Sequence, residues 1–316
     1  MRTTLQSLVA LPLFVFGMLL GCDEKGGSEM PAADPKGTSP QNVRAPRDAA
    51  RIFITGHSLV DQPLPDFLAR IGSSAGTPIE WNRQYVEGSA ILRRARGKDP
   101  AAQDFPGYRE GLDREGKKLD VVSELRNPQT VRGAYDVLLI TEQHGMLETL
   151  LRNETVRYLR HYHDLFIAGN PQGTSYFYES WLDINDKSDP RRWIAYERAA
   201  SPVWQCMATR VNVSLSAEGR ADRIVSLPAG AALAELVARS TGGPKLDGIT
   251  LQSDSETVSS LIEDRVHLTP LGAYYISLVT YSSIFQRPPL GAWAPDGVTP
   301  VQAKSLQETA WNFISD

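Results

Sequence analysis

The sequence contains little cysteine and no large excess of either charge, and each of these features argues against a class of site or partner. Only two cysteines, Cys22 and Cys206, occur among 316 residues, so a cysteine-based metal site is not expected. Lys and Arg number 33 against 37 Asp and Glu, for a net charge of -4. So mild an acidic balance argues against nucleic acid as a partner. Hydrophobic residues at 41%, with no internal repeat, are typical of a soluble globular body.

Long apolar runs are also scarce, and one of them lies near the N-terminus. Residues 8–20 carry no charge and follow Arg2. Because the run is too short to span a membrane, it predicts a signal peptide over residues 1–21. Leu19-Leu20-Gly21-Cys22 resembles the lipobox of bacterial lipoproteins, which implies cleavage before Cys22 and lipid attachment to its thiol. An ordinary signal peptide or an uncleaved anchor is the alternative.

Residues 22–47 are predicted to be a disordered tether, because proline, glycine and scattered charges leave little apolar surface for a core. Such a tether would typically reach about 25–30 Å. Lipid on Cys22 would hold the protein at a membrane of the bacterial envelope, on the periplasmic or cell-surface side. Asp23 resembles an inner-membrane retention signal, but inner and outer membrane both stay open. With Cys22 lipidated, Cys206 would lack a disulfide partner and is expected to be a small buried apolar group.

Residues 48–316 alternate apolar, β-rich segments with helical patterns and are predicted to form one domain. The predicted strands are 52–55, 78–85, 135–141, 175–181 and 223–227, and the predicted helices are 63–71, 147–166, 191–214, 231–239, 271–284 and 300–314. This alternation predicts a three-layer α/β/α sandwich around a parallel sheet of about five strands. In such sheets ligands bind beyond the carboxyl ends of the strands. Polar residues 97–118 are expected to form a lid or binding loop.

Two short motifs point to catalysis. In the first, a predicted buried strand leads into Gly56-His57-Ser58-Leu59, a tight turn that exposes the Ser58 hydroxyl. In the second, Asp264-Arg265-Val266-His267 precedes a helix that Thr269-Pro270 would open. A serine hydroxyl needs a base to become nucleophilic, and an acid can orient that base. The two motifs together predict a serine hydrolase.

The two motifs resemble those of the SGNH (GDSL-like) hydrolase family over residues 48–287, although the middle motifs match poorly. Gly56-His57-Ser58-Leu59 stands where the family usually has Gly-Asp-Ser-Leu, and Asp264-Arg265-Val266-His267 fits the family's terminal Asp-x-x-His block. The resemblance implies a flavodoxin-like fold in which Ser58 is the nucleophile, His267 the general base and Asp264 its partner. It implies neither a metal nor a cofactor. Family members are mostly esterases, lipases, carbohydrate deacetylases or O-acetyltransferases.

The family's oxyanion hole is only partly recognisable. By resemblance, the backbone N–H groups of Ser58 and Gly88 supply two donors, and an asparagine after the third strand supplies another. The sequence after that strand, Thr141-Glu142-Gln143-His144-Gly145, contains no asparagine. The Gln143 side chain is the favoured donor and His144 the second candidate. Both could instead be loop residues outside the site.

Other candidates have structural alternatives. Trp181 could stack on a sugar or pack in the core. Arg93, Arg94 and Arg96 could receive an anionic substrate or form a solvated basic patch. His161 and His163 are two residues apart and would not share a helix face for a metal. Glu142 and Glu179, near strand ends, could contact substrate or be structural.

The sequence therefore predicts a membrane-anchored carboxylic ester hydrolase. Its expected substrate is a short-chain acyl ester, foremost an O-acetyl group on an envelope or extracellular glycan. The family and the compartment suggest acetyl, while no single residue does. The alternatives are an O-acyltransferase on the same fold and a degenerate SGNH domain that binds glycan or a partner protein. The oligomeric state stays open.

Overall fold

Seven strands and ten α-helices make up the part of the chain that the computed structural model describes, residues 48–97 and 107–316. The strands are β1 (Ala50–Gly56), β2 (Ile79–Tyr85), β3 (Glu110–Asp113), β4 (Lys118–Asp120), β5 (Val137–Thr141), β6 (Thr174–Tyr178) and β7 (Ile224–Leu227). The helices are α1 (Leu64–Ser74), α2 (Ile91–Arg96), α3 (Val121–Arg126), α4 (Met146–Leu151), α5 (Thr155–Gly169), α6 (Arg191–Ala217), α7 (Ala229–Gly242), α8 (Asp254–Leu261), α9 (Pro270–Phe285) and α10 (Pro300–Ser315). Across these described ranges, no helix has the length and hydropathy needed to cross a bilayer.

The strands form one sheet in the order β4-β3-β2-β1-β5-β6-β7. From β2 to β7 the neighbouring strands are parallel, whereas β3 and β4 extend one edge in antiparallel fashion. Numbered among themselves, the parallel strands run 2-1-3-4-5, a common order of doubly wound folds. The predicted five parallel strands are present, but the sheet has seven. The difference arises because the stretch expected as a lid or binding loop, 97–118, contributes β3 and the start of β4.

The central strands are buried on both faces, which explains their unbroken apolar sequences. In β1, Ile52 and Ile54 belong to one hydrophobic core and Phe53 to the other. In β5, Leu139 and Leu138 divide in the same way. Helices α1 and α7 to α10 cover the first face, and α2, α3, α5 and most of α6 cover the second. Helical layers on both faces of a mostly parallel sheet make the predicted α/β/α sandwich.

The boundaries of the predicted helices agree closely with the structure, with one clear exception, whereas α2, α3 and α8 are not among the predicted helices. The stretch 147–166, predicted as one helix, forms α4 and α5, because Glu154 has a φ of 48° in the left-handed region. Helix α9 begins as predicted, with the Thr269 hydroxyl accepting a hydrogen bond from Gly272 N and proline at the first helical position. Every residue of α9 from Gly272 to Phe285 is buried, so this helix fixes the loop before it to the core.

Several predictions fall outside the described residues. These are the signal peptide over 1–21, the lipidation of Cys22, the tether over 22–47 and residues 98–106 of the expected lid. Cys206, by contrast, is described: it lies on α6 and is half-buried. The expectation of a fully buried apolar group is therefore wrong.

Candidate active site

The turn after β1 presents Ser58 at the carboxyl end of the sheet. A Cβ on Gly56 would lie 2.2 Å from Val60 Cγ2 and 2.6 Å from Thr141 Cγ2. Glycine is therefore required here by the close approach of neighbouring side chains rather than by an unusual φ. Ser58 then opens a 3-10 turn, Ser58–Val60.

His57 holds this turn in place. Its Nδ1 accepts from Leu59 N at 3.5 Å, and its Nε2 lies 2.9 Å from the Glu142 carbonyl oxygen. Burial lowers the pKa of His57 to about 4, and nearby Arg94 adds to the effect. A neutral ring with Nε2–H donating to Glu142 fits both contacts. His57 thus caps the turn from the position where the family resemblance expects aspartate.

Ser58, His267 and Asp264 form a continuous hydrogen-bonded relay. His267 Nε2 lies 3.0 Å from Ser58 Oγ, and His267 Nδ1 lies 2.7 Å from Asp264 Oδ2. The second carboxylate oxygen of Asp264 accepts from Val266 N and His267 N, both at 2.8 Å. This is the arrangement in which a histidine can take a proton from serine while a carboxylate fixes its tautomer.

Asp264 is the anionic end of the relay. Partial burial would raise its pKa, but hydrogen bonds from the His267 ring and from the amides of Val266 and His267 outweigh it, and the pKa falls well below the usual range. Asp264 therefore stays ionised through the physiological range and can stabilise an imidazolium on His267.

The segment after β6 holds the loop that carries His267. Trp181 Nε1 donates to Val266 O at 2.7 Å, and Ile184 N donates to Arg265 O at 2.7 Å. Lys187 Nζ lies 2.6 Å from Ile262 O. Trp181 is only 1% exposed, so its role here is to fix the loop that carries His267. Its ring does not offer the open face that sugar stacking needs.

A cleft of about 290 Å³ opens beside the relay. Ser58, His267 and Trp181 line one part of it, and the remaining lining residues are Leu59, Asp61, Gln62, Pro63, Leu64, Glu263, Leu268, Pro270 and Ala273. Apart from the relay residues and Trp181, the residues that line the cleft were not identified from the sequence. Their only indication in the sequence is that most of them lie close to the two motifs, because the packing of α1 and α9 sets the shape of the cleft.

The other predicted oxyanion residues follow strand ends next to β1. Gly56 pairs with Tyr85 in β2, so Gly88, three residues later, lies in a neighbouring loop, where its φ is +56°. Gln143 follows β5 on the other side of β1. Its backbone N–H donates to Glu142 Oε1 at 2.7 Å, which leaves its side-chain amide as the group that could serve as a donor.

The His144 ring is turned toward another partner. Its Nε2 lies 3.6 Å from Asp183 Oδ1, and Asp183 also pairs with Arg265 at 3.5 Å. Through Asp183, this contact links the loop after β5 to Arg265 on the loop that carries His267.

Three of the remaining charged candidates are buried. Arg94, Glu142 and Glu179 are each 0% exposed, so none of them meets bulk solvent or an arriving substrate. The suggestion that Arg94 receives an anionic substrate is therefore wrong. Of the other two arginines, Arg93 is exposed and Arg96 is half-buried.

A second Ser-His-Asp arrangement lies at the opposite end of the sheet. His163 Nδ1 is 2.9 Å from Ser175 Oγ, and His163 Nε2 is 2.7 Å from Asp222 Oδ2. Ser175 and His163 are both 0% exposed, so no substrate carbonyl can reach this serine. Here the same three residue types are part of the buried core. Access of solvent and substrate to the serine therefore distinguishes the two sets. Across residues 48–97 and 107–316, no group of three or more His, Cys, Asp or Glu could hold a metal ion.

No protein-family model and no curated protein matches this chain. Among solved structures, a DUF4886 family protein from Bacteroides uniformis superposes with a TM-score of 0.61 at 13% identity, covering 84% of this chain and 95% of that one. At this identity the similarity concerns the fold alone. A protein from Parabacteroides merdae described as GDSL-like has a TM-score of 0.40 at 11% identity, over 77% of this chain and 98% of that one. A similarity that low carries no argument about activity.

Proposed function

We propose that this chain is a serine esterase that hydrolyses short-chain acyl esters, foremost O-acetyl groups on an envelope or extracellular glycan. The observation that carries the proposal is the accessible Ser58–His267–Asp264 relay, with 3.0 Å and 2.7 Å between successive side chains, at the edge of a cleft. Nucleophile, base and orienting acid are the parts that acyl transfer to water needs.

In the proposed reaction, Ser58 Oγ attacks the ester carbonyl carbon while His267 Nε2 takes its proton. The tetrahedral intermediate then collapses, the ester C–O bond breaks, and His267 returns the proton to the leaving alcohol. Water attacks the acyl-serine by the same route and releases the carboxylic acid. The backbone N–H groups of Ser58 and Gly88, with the side-chain amide of Gln143, would stabilise the oxyanion.

Cleft size supports a small acyl group. A volume of about 290 Å³ lies at the lower end of ligand sites in proteins, which span about 300–1,000 Å³. Leu59, Leu64 and Leu268 give part of this space an apolar wall. An acetyl or butyryl group would fit there, whereas a glycan would extend beyond the cleft.

Exposure of the relay favours hydrolysis over transfer. The His267 side chain is 46% exposed and that of Asp264 is 55% exposed, so water can reach an acyl group on Ser58. A transferase of the same fold would need to keep water from that intermediate. We therefore propose water as the acyl acceptor.

The test is hydrolysis of p-nitrophenyl acetate, butyrate and octanoate by the full chain, purified in mild detergent. We expect acetate and butyrate to be cleaved, and Ser58→Ala and His267→Ala to lower kcat by about 10⁴–10⁶. Ser175→Ala is the matched control, because it alters the buried serine and should leave kcat unchanged.

Labelling of Ser58 by a fluorophosphonate separates the alternatives. A labelled but hydrolytically silent enzyme would favour the acyltransferase. A folded protein that neither labels nor hydrolyses would overturn catalysis and favour a degenerate domain that binds glycan or a partner.

We also propose that lipid on Cys22 anchors the protein in the bacterial envelope. Cys22 and Cys206 are the only cysteines in the sequence, so a disulfide between them would leave no sulfur for the lipid. Mass spectrometry of protein isolated from membranes decides the question. A triacylated or diacylated Cys22 peptide supports the anchor, and a peptide that joins Cys22 to Cys206 contradicts it.

A further inference from the structure

Two oppositely charged side chains lie buried under the carboxyl end of the sheet without contacting the relay. Arg94 on α2 and Glu142 after β5 are each 0% exposed. A buried charge is costly unless its hydrogen-bonding groups are satisfied. The partners of these two side chains therefore show what their burial accomplishes.

The Arg94 guanidinium binds three neighbouring strand ends at once. Its Nε donates to Thr55 Oγ1 in β1 at 3.0 Å. Its Nη1 donates to the carbonyl and hydroxyl oxygens of Ser89 at 2.7 Å and 2.9 Å. Its Nη2 donates to the carbonyl oxygen of Thr141, the last residue of β5. One rigid planar group thus fixes the spacing between β1, the loop after β2, and β5.

These three contact points adjoin the candidate oxyanion donors in sequence. Thr55 is three residues before Ser58, Ser89 directly follows Gly88, and Thr141 is two residues before Gln143. The three strands are neighbours in the sheet, where β1 lies between β2 and β5. Moving the guanidinium would therefore shift the three donors relative to one another.

Glu142 also binds the segments that follow β2 and β5. Its carboxylate accepts from Ile91 N at 3.0 Å, from Gln143 N at 2.7 Å and from Thr155 Oγ1 at 2.8 Å. Burial raises the pKa of Glu142, and the charge of Arg94 opposes that rise. The carbonyl oxygen of Glu142 accepts a hydrogen bond from His57 Nε2 at 2.9 Å. The residue before Ser58 therefore belongs to the same network.

We infer that Arg94 is a positioning residue of the oxyanion hole, which sets the spacing of the Ser58, Gly88 and Gln143 donors through Thr55, Ser89 and Thr141. This inference rests on the proposed esterase function. Oxyanion donors act only when they lie within hydrogen-bond distance of the charge that develops in the transition state. A residue that sets their spacing therefore acts on kcat and leaves KM nearly unchanged.

Arg94→Lys is the first test. It keeps the positive charge but cannot bind three strand ends with one planar fork. Removing a single oxyanion donor lowers kcat by about 10²–10³, and we expect a fall of roughly 10²-fold. Rates are normalised to the serines that a fluorophosphonate labels at completion, so misfolded protein does not count.

Three further variants separate positioning from stability. Arg93→Lys, on the exposed neighbouring residue, should leave every parameter unchanged. Tyr281→Phe removes a buried hydrogen bond to Thr77 of 3.1 Å near the start of β2, and should lower Tm without changing kcat per labelled serine. Thr55→Val removes one Arg94 acceptor while preserving shape, and should lower kcat by about 10-fold.

The outcomes are distinct. An Arg94→Lys or Thr55→Val enzyme with normal kcat per labelled serine overturns the inference, whatever its Tm. A raised KM with unchanged kcat also overturns it, because that result assigns Arg94 to substrate binding. A wild-type enzyme that neither labels nor hydrolyses overturns the esterase proposal itself, and the inference with it.

Discussion

At the scale of single residues, access and geometry decide which polar groups can act. Residues 48–97 and 107–316 contain two hydrogen-bonded Ser-His-Asp sets. The set containing Ser58 borders a cleft, while Ser175 is fully buried. The same distinction divides the loop after β5. Glu142 is buried and structural, whereas Gln143 and His144 are partly exposed. Gln143 and His144 are therefore the two candidates for the third proposed oxyanion donor.

Gln143→Ala and His144→Ala distinguish the two candidates. We expect Gln143→Ala to lower kcat for p-nitrophenyl acetate by about 10²–10³, the effect of losing one oxyanion donor. His144→Ala should change kcat by less than about 10-fold, because its ring is directed at Asp183, 3.6 Å away. The reverse ranking of the two kcat values would assign the third donor to His144.

At the scale of elements, the site depends on how two loops support each other. Helix α9 fixes one end of the loop that carries Asp264 and His267 through the Thr269 cap. The segment after β6 holds its middle, where Trp181 and Ile184 bind the carbonyl oxygens of Val266 and Arg265. His267 thus lies on a loop whose position depends on two separate elements.

Trp181→Phe tests this support. The substitution keeps an aromatic ring but removes the N–H that binds Val266 O at 2.7 Å. We expect a stability loss of about 1 kcal/mol and a several-fold lower kcat, because His267 becomes less well positioned. Tyr275→Phe, which removes a buried hydrogen bond of 3.1 Å to Ala232 O, is the matched control. Equal kcat values in the two variants would mean that Trp181 contributes packing alone.

At the scale of the whole molecule, two buried carboxyl groups make stability depend on pH. Burial raises the pKa of Glu179 to about 8, against hydrogen bonds from Ser226 and Ser201. Burial also raises the pKa of Glu197 to about 8, and Glu179 adds to that rise. An unfolded glutamate has a pKa of about 4.3. Between about pH 4.5 and 8 the folded state therefore binds more protons than the unfolded state, and stability falls as pH rises through that window.

Glu179→Gln should flatten this dependence. At pH 4 the variant and the wild type should have similar Tm values, because the folded and unfolded carboxyl groups are then both mostly protonated. At pH 9 the variant should be more stable by about 2 kcal/mol or more, or a Tm higher by roughly 4 °C.

Glu235→Gln is the control of opposite sign. Its hydrogen bond from Arg239, which prevails over partial burial, lowers the pKa of Glu235, so its stabilising effect is present at neutral pH and is lost in acid. Calorimetric scans from pH 4 to 9 check both variants. A pH-independent gain in Glu179→Gln would show that Glu179 does not titrate in this window.

The sequence by itself determined the five parallel strands and the positions of the longer helices, and it singled out the two motifs that carry Ser58 and His267. Unbroken apolar runs such as β5 are typical of central strands covered on both faces, and a cap followed by proline indicates where α9 begins. These are local signals, because a hydrophobic period or a cap involves residues close together in the chain. The antiparallel edge β3–β4 escaped prediction because its strands are short and polar, so that only pairing with β2 identifies them.

Tertiary structure alone decided which side chains meet. Ser58 and His267 are 209 residues apart in sequence, and folding brings them to 3.0 Å. Folding also buries Arg94, a candidate surface charge, where it binds three strand ends. It likewise buries Ser175, which no longer contacts solvent. Burial and contact between distant segments depend on the packing of whole layers. No local window of sequence contains that information.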